Sequence, residues 1–212
     1  MSSQAKKAYE LIENMIVSMK LEPGLKISEK SLSDMLGMGR TPIREALLRL
    51  AFEGTILVAP RSGIIISEID TSDQFRLIEV RRELERIIAR RSAQLSTPDE
   101  RRQFSALADH FMKAAAENDE NLFIKTDREF NQLLASSAQN KYASIAMSAI
   151  QAQTRRFWYL YFKKFGDLPH ICQLHAKVAI AIVQENPTKA QKASDELLDY
   201  VEEYTTRTIK AL

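Results

Sequence analysis

A chain of 212 residues has room for one large domain or two small ones. Apolar residues make up 45% and charged residues 27%, and 30 Lys/Arg against 28 Asp/Glu leave a net charge of +2; this excludes a polybasic tail protein, a histone-like condenser and an acidic disordered chain, but not nucleic-acid binding by segregated charge. The single Cys172 excludes an intrachain disulfide and a multi-cysteine metal site, and no apolar run approaches the roughly 18 residues of a membrane span, so the cytosol is the expected compartment.

Ala8, Leu11, Ile12, Met15, Ile16 and Met19 recur at helical spacing, and Pro23-Gly24 stops that helix. Ser28 suits the N-cap of a short second helix running through Leu36, and Gly37-Met38-Gly39 forms a tight turn. A third helix is expected over 41–53. Pro42 sits near its start, where a missing N–H costs little; Ile43, Ala46, Leu47 and Leu50 face its core, and Gly54 ends it. Thr55 to Val58 and Ile64 to Ser67 are short β-prone runs joined by the hairpin tip Ala59-Pro60-Arg61-Ser62-Gly63. Helix, helix, turn, helix and two-stranded ribbon make a winged helix-turn-helix.

Beyond residue 64 only Pro98, Gly166, Pro169 and Pro187 punctuate the chain, which reads as six helices over 72–95, 98–118, 120–138, 141–165, 168–185 and 188–212. Thr97, Pro98 and Glu100 give the second of these a capping-box start, and Asn186-Pro187 separates the last two. The expected fold is mainly α: a winged helix-turn-helix over 1–69 followed by an all-helical bundle over 70–212.

The segments Leu25-Lys26-Ile27-Ser28-Glu29-Lys30-Ser31-Leu32-Ser33 and Gly39-Arg40-Thr41-Pro42-Ile43-Arg44-Glu45-Ala46-Leu47, with Leu50, Glu53, Gly54 and Pro60-Arg61-Ser62-Gly63, resemble the DNA-binding domain of the GntR family of bacterial transcriptional regulators. The helical remainder of the chain resembles the FadR-like branch with its FCD ligand-binding domain. Val80-Arg81-Arg82-Glu83-Leu84-Glu85 is similar to the first-helix signature of that domain, Asp127-Arg128-Glu129-Phe130-Asn131 to its Asp-x-x-Phe-His element, and Leu174-His175 to the start of its His-x-x-Ile element. The resemblance implies a homodimer on a pseudo-palindromic double-stranded operator, with repression the expected sign.

A recognition helix reads base edges with side chains near its N-terminus, and an arginine fork matches guanine O6 and N7. Arg40, Thr41 and Arg44 lie within one turn of that end; Thr41 and the free backbone N–H groups suit a phosphate. The resemblance adds Lys30, where the family uses a basic side chain on DNA. Arg61 and Gly63 at the wing tip could enter the adjoining minor groove, and Arg49 is a weaker phosphate candidate. The competing reading makes Arg40 and Arg44 solvated charges paired with Glu45 and Asp34. Residues 1–68 carry 9 Lys/Arg and 8 Asp/Glu, so placement rather than bulk charge must carry DNA binding.

In the helical part, Arg81, Asp127, Arg156 and His175 each fall on an apolar stripe, and Asn131 is one turn beyond Asp127. Buried charges need partners or a ligand, so their convergence would make a polar cavity. The expected use is a metal-free effector site: Arg81 and Arg156 hold the carboxylate of a small organic acid, and Asn131 and His175 supply neutral donors and acceptors. The family's metal-binding pattern is Asp, His four residues on, then two His 22 residues apart. Here Asn131 and Leu197 stand at two of the His positions, leaving Asp127 and His175 as weak divalent-metal candidates. Two alternatives stand beside it. One is a metal-dependent sensor with a degenerate site. The other is a constitutive DNA-binding dimer in which Arg81–Asp127 is a structural ion pair and His175 a core histidine. The aromatic run Phe157-Trp158-Tyr159-Leu160-Tyr161-Phe162 reads as core on one side and dimer interface or pocket wall on the other, and His110 and His170 receive no role. No nucleophile motif, phosphate loop or complete metal set accompanies Asp127 and His175, so no catalysis is expected.

Overall fold

The structure is a computed structural model that describes residues 2–59 and 63–212. It divides into two compact units: Met1–Thr71 together with Ser148–Lys163, and Ser72–Met147 together with Lys164–Leu212.

In the first unit, α1 (Ser3–Val17) starts at Ser2, whose hydroxyl accepts from the Ala5 N–H, and gives way to Met19 at φ 58°. β1 (Lys26–Ile27) leads into α2 (Glu29–Leu36), which Ser28 caps and Gly37 closes in the left-handed conformation. Then come α3 (Arg40–Phe52), β2 (Ile56–Ala59) and β3 (Gly63–Ile66). The sheet runs β1-β3-β2, antiparallel throughout, with Leu57 opposite Ile65. The expected two-stranded ribbon therefore gains a third strand, Lys26–Ile27, too short to show an alternating pattern. Ile56, Ile64 and Ile66 turn inward onto Ile12, Ile16, Leu32, Ile43 and Leu50 in one apolar core. Gly63 takes φ +86°, and a Cβ there would sit 3.0 Å from the Ile27 carbonyl oxygen, so β1 can close on the wing only beside a glycine.

The second unit is built from α4 (Gln74–Leu95), α5 (Pro98–Glu117), α6 (Glu120–Ser137), both ends of α7 (Lys141–Phe165), α8 (Leu168–Val183) and α9 (Pro187–Lys210). The chain is thus a winged helix-turn-helix joined to an all-helical unit. The apolar α8 lies against α4, α5, α6 and α9, and ten of its residues are buried. It ends at Val183, two residues before the expected 185, where Glu185 turns to φ 53°. Arg82 bonds Asp199 at 2.8 Å and Glu202 at 3.0 Å, and Arg86 bonds Asp195 at 2.6 Å, tying α4 to α9. Among the described residues no helix is long and apolar enough to cross a membrane.

The start of α5 has the full reciprocal cap: the Thr97 hydroxyl accepts from the Glu100 N–H, and the Glu100 carboxylate accepts from the Thr97 N–H at 2.7 Å. Thr97→Ala is expected to cost about 1 kcal/mol of stability in the helical unit, read as a lower urea midpoint with an unchanged slope.

Candidate nucleic-acid interface and interior polar cluster

No side chain caps α3 at Gly39, so its first N–H groups remain available to an anion. Arg40 and Thr41 are exposed in the first turn and Arg44 one turn on, its side chain 65% exposed. Sequence reasoning offered Asp34 and Glu45 as partners for these arginines. The structure gives Arg44 a different one, Glu29 at the start of α2, through Nη2–Oε2 at 2.9 Å and Nε–Oε1 at 3.3 Å. The Arg44 hydrogen bond, followed by the charges of Arg44 and Arg40, holds the Glu29 carboxyl below its usual range. Lys30, exposed, neighbours Glu29. The exposed N-termini of α2 and α3 thus present Lys30, Arg40, Thr41 and a preset guanidinium fork. Gly63 is at the base of the wing; Arg61 lies outside the described residues.

Arg49, weighed as a phosphate contact, is engaged inside the unit. Its guanidinium stacks 3.9 Å from the centre of the Tyr9 ring and its Nε meets Glu53 Oε1 at 3.0 Å, while the Tyr9 hydroxyl donates to Glu53 Oε2 at 2.8 Å. Glu53 is 1% exposed, and burial raises its pKa against the pull of Tyr9 and Arg49. The α7 segment joins the same fastening: Gln153 Nε2 donates to the Glu53 carbonyl at 3.2 Å, and Arg155 pairs with the buried Glu13 of α1. Sequence reasoning missed Glu29, Gln153 and Arg155, whose partners lie too far along the chain for any periodic signal.

In the second unit the structure brings Asp127, Asn131 and His175 together. Asn131 Nδ2 donates to Asp127 Oδ1 at 2.8 Å, and His175 Nε2 stands 3.2 Å from the same oxygen. His175 Nδ1 lies 2.8 Å from the Ile171 carbonyl, which can only accept, so Nδ1 carries a hydrogen. The contact between Nε2 and Oδ1 is attractive when one proton lies between them. Phe111, Phe123 and Phe130 enclose the imidazole with ring centres at 5.0, 5.5 and 5.9 Å. Phe111, from α5, is the member of that cage nearest the imidazole.

The two arginines expected to join this cluster each have another partner. Arg81 pairs with Glu85 one turn along α4 at 2.6 Å, and Glu85 also reaches Ser194 at 3.5 Å. Arg156 is buried as expected, but with the first unit, where it donates to the Ser67 carbonyl; the cause is that residues 148–163 of α7 pack there. As a metal set the cluster is poor. Asn131 turns its amide nitrogen toward Asp127, Leu197 is buried and apolar, and no three His, Cys, Asp or Glu side chains converge among the described residues. A groove of about 450 Å³ between α5 and α6 is lined by His110, Gln103, Leu107, Glu129, Gln132 and Leu133.

A winged helix-turn-helix with a solvent-facing basic recognition helix, in one chain with a helical unit that holds an interior polar cluster, is the arrangement of a DNA-binding transcriptional regulator. Residues 4–66 match the family described as bacterial regulatory proteins, gntR family, and residues 76–200 match the FCD domain. The chain belongs to the GntR family of regulators with an FCD domain. It is 25% identical over 196 residues to the HTH-type transcriptional repressor RspR of Escherichia coli, covering 92% of this chain and 86% of that one. It is 28% identical over 200 residues to the Nta operon transcriptional regulator of Aminobacter aminovorans, covering 88% and 91%. Its fold is similar to that of E. coli McbR/YncC, with a TM-score of 0.83 at 18% identity over 98% and 99% of the two chains.

Cys172 is fully buried on α8, and burial, reinforced by the Asp127 charge, pushes its thiol up to about 12. A protonated, enclosed thiol is not nucleophilic. Ellman's reagent at pH 8 is expected to leave the native protein unlabelled and to titrate one thiol after unfolding in guanidinium.

Proposed function

We propose that the chain is a cytoplasmic repressor that binds a pseudo-palindromic operator as a homodimer and is released from it when a small carboxylate occupies the helical unit. The observation that carries the DNA half is the Arg44 fork, exposed one turn into α3 and held in shape by Glu29. A bidentate donor in that attitude is suited to guanine O6 and N7, with Arg40, Thr41, Lys30 and the α3 N-terminus on flanking phosphates, and with Arg61 and Gly63 of the wing in the minor groove. A single winged domain of net charge near zero gains little from counterion release, which favours two domains reading two half-sites. The repressor sign takes support from the name of RspR, a relative over most of the chain.

For the effector half, Arg81 is the proposed carboxylate anchor, exchanging Glu85 for the ligand, with Asp127, Asn131 and His175 on the ligand's polar groups. The ligand acts only through unequal affinity for the DNA-bound and released arrangements. A second reading is favoured by the way Asp127, Asn131 and His175 satisfy one another: a structural cluster in a unit that only dimerises, so that operator binding is constitutive.

An operator selected from random DNA provides the tests. Arg44→Ala is expected to weaken it roughly 5- to 150-fold in gel-shift titrations while leaving random-sequence binding nearly unchanged. An equal loss on both makes Arg44 a phosphate contact. A panel of mono-, di- and tricarboxylates titrated into the complex is expected to include one that releases it, and Arg81→Ala is expected to abolish that release at otherwise saturating acid. No release by any acid favours the constitutive reading.

A further inference from the structure

Arg156 is 2% exposed and among the described residues makes one hydrogen bond, from Nη2 to the carbonyl oxygen of Ser67. Its Nε is buried with no partner among those residues, and the Ser67 hydroxyl beside that carbonyl is likewise buried without one. Arg49 in the same unit reaches the carboxylate of Glu53, and the partly buried Arg82 of the second unit reaches those of Asp199 and Glu202. For Arg156 the acidic residue within electrostatic reach is Glu68, an exposed side chain that makes no ion pair with it among the described residues. Burial accordingly pulls the Arg156 pKa down, offset only in part by Glu68. A guanidinium held out of water with unfilled N–H donors and no carboxylate is a costly arrangement that folded chains keep where something completes it. Water fills hydrogen bonds but returns no charge; an oxyanion supplies both.

We infer that Arg156 and Ser67 form a binding site for a small oxyanion, a carboxylate or a phosphate, in the first unit. Besides the Nη2 hydrogen given to the Ser67 carbonyl, the guanidinium keeps its Nε–H and further N–H donors of the fork that planar or tetrahedral oxyanions accept, and the Ser67 hydroxyl adds another. Ser67 directly follows β3 and its N–H bonds the Thr55 carbonyl at 3.0 Å, so an anion there ties the root of the wing to α7. The site uses none of Arg81, Asp127, Asn131 and His175, and it stands whether or not those residues take an effector.

The test is calorimetric titration of the full-length protein with phosphate, acetate and succinate, chloride holding ionic strength constant. The emission of Trp158, the only tryptophan and two residues from Arg156, is followed in parallel. Saturable one-site binding with an emission change is expected for phosphate or for the carboxylates, and which of them saturates identifies the class. Arg156→Met is expected to abolish it, and Arg156→Lys, which keeps the charge but not the fork, and Ser67→Ala are each expected to weaken it about tenfold. If Arg156→Met does not fold, the other two variants decide. No saturable binding in the wild type, or binding unchanged in the Arg156 variants that fold and in Ser67→Ala, overturns the proposal. Arg81→Ala is expected to leave these titrations unchanged, which keeps their outcome distinct from that of the effector reading.

Discussion

Taking an ionised side chain out of water costs several kcal/mol unless charge and hydrogen bonds are returned to it, and this requirement organises both units. Glu53 ends α3 almost fully buried, and it is tolerated because Tyr9 of α1 and Arg49 of α3 both reach it. That triad, with the Gln153 donor on the Glu53 carbonyl, fixes how the recognition helix lies on α1. Small packing shifts cannot turn α3 without stripping a partner from a buried carboxylate. The exposed end of the same helix is thereby held as a rigid platform for Arg40, Thr41 and Arg44.

The helical unit meets the same requirement on α8. An apolar helix buried on most faces brings one ionisable ring, His175, into the middle of three phenylalanines. Asp127 and the Ile171 carbonyl supply acceptors at its two nitrogens, and Asn131 holds the Asp127 oxygen that His175 uses. A ligand entering here has to compete with contacts already made.

Most of the fold was legible in local signals. Ser28, the Thr97–Glu100 box and Asn186-Pro187 mark helix starts through groups three residues apart, and each is found in use. The inward direction of Asp127, Arg156 and His175 was legible from stripes alone. What the stripes do not carry is the identity of the core each residue enters. Arg156 shares a helix with Met147, yet packs with Ser67, because the partition of α7 between units is a tertiary outcome. Glu29 and Arg44 are fifteen residues apart on different helices, so their pairing depends on the crossing of α2 and α3, which no single-helix pattern encodes. β1 is two residues long, and its close approach to β3 is eased by Gly63.

Four arginines sit in three environments here, and the environment decides which of them a ligand in solvent can reach. Arg49 bonds the buried Glu53, so withdrawing it would strand a buried charge, while Arg82, itself mostly buried, bonds the exposed Asp199 and Glu202. Arg156 is enclosed and cannot reach a duplex without unfolding its surroundings. Arg44 is the opposite case. Its pair with Glu29 is solvated on both sides, and solvated pairs contribute little to stability and are exchanged readily. Under the proposed reading Glu29 is readily given up to DNA, and in the free protein it keeps the fork ordered and neutralises a charge that would otherwise favour any phosphate. In a domain whose net charge is only +1, a guanidinium masked in this way would, under the proposed reading, shift the balance from indiscriminate phosphate attraction toward a base edge that matches both nitrogens at once.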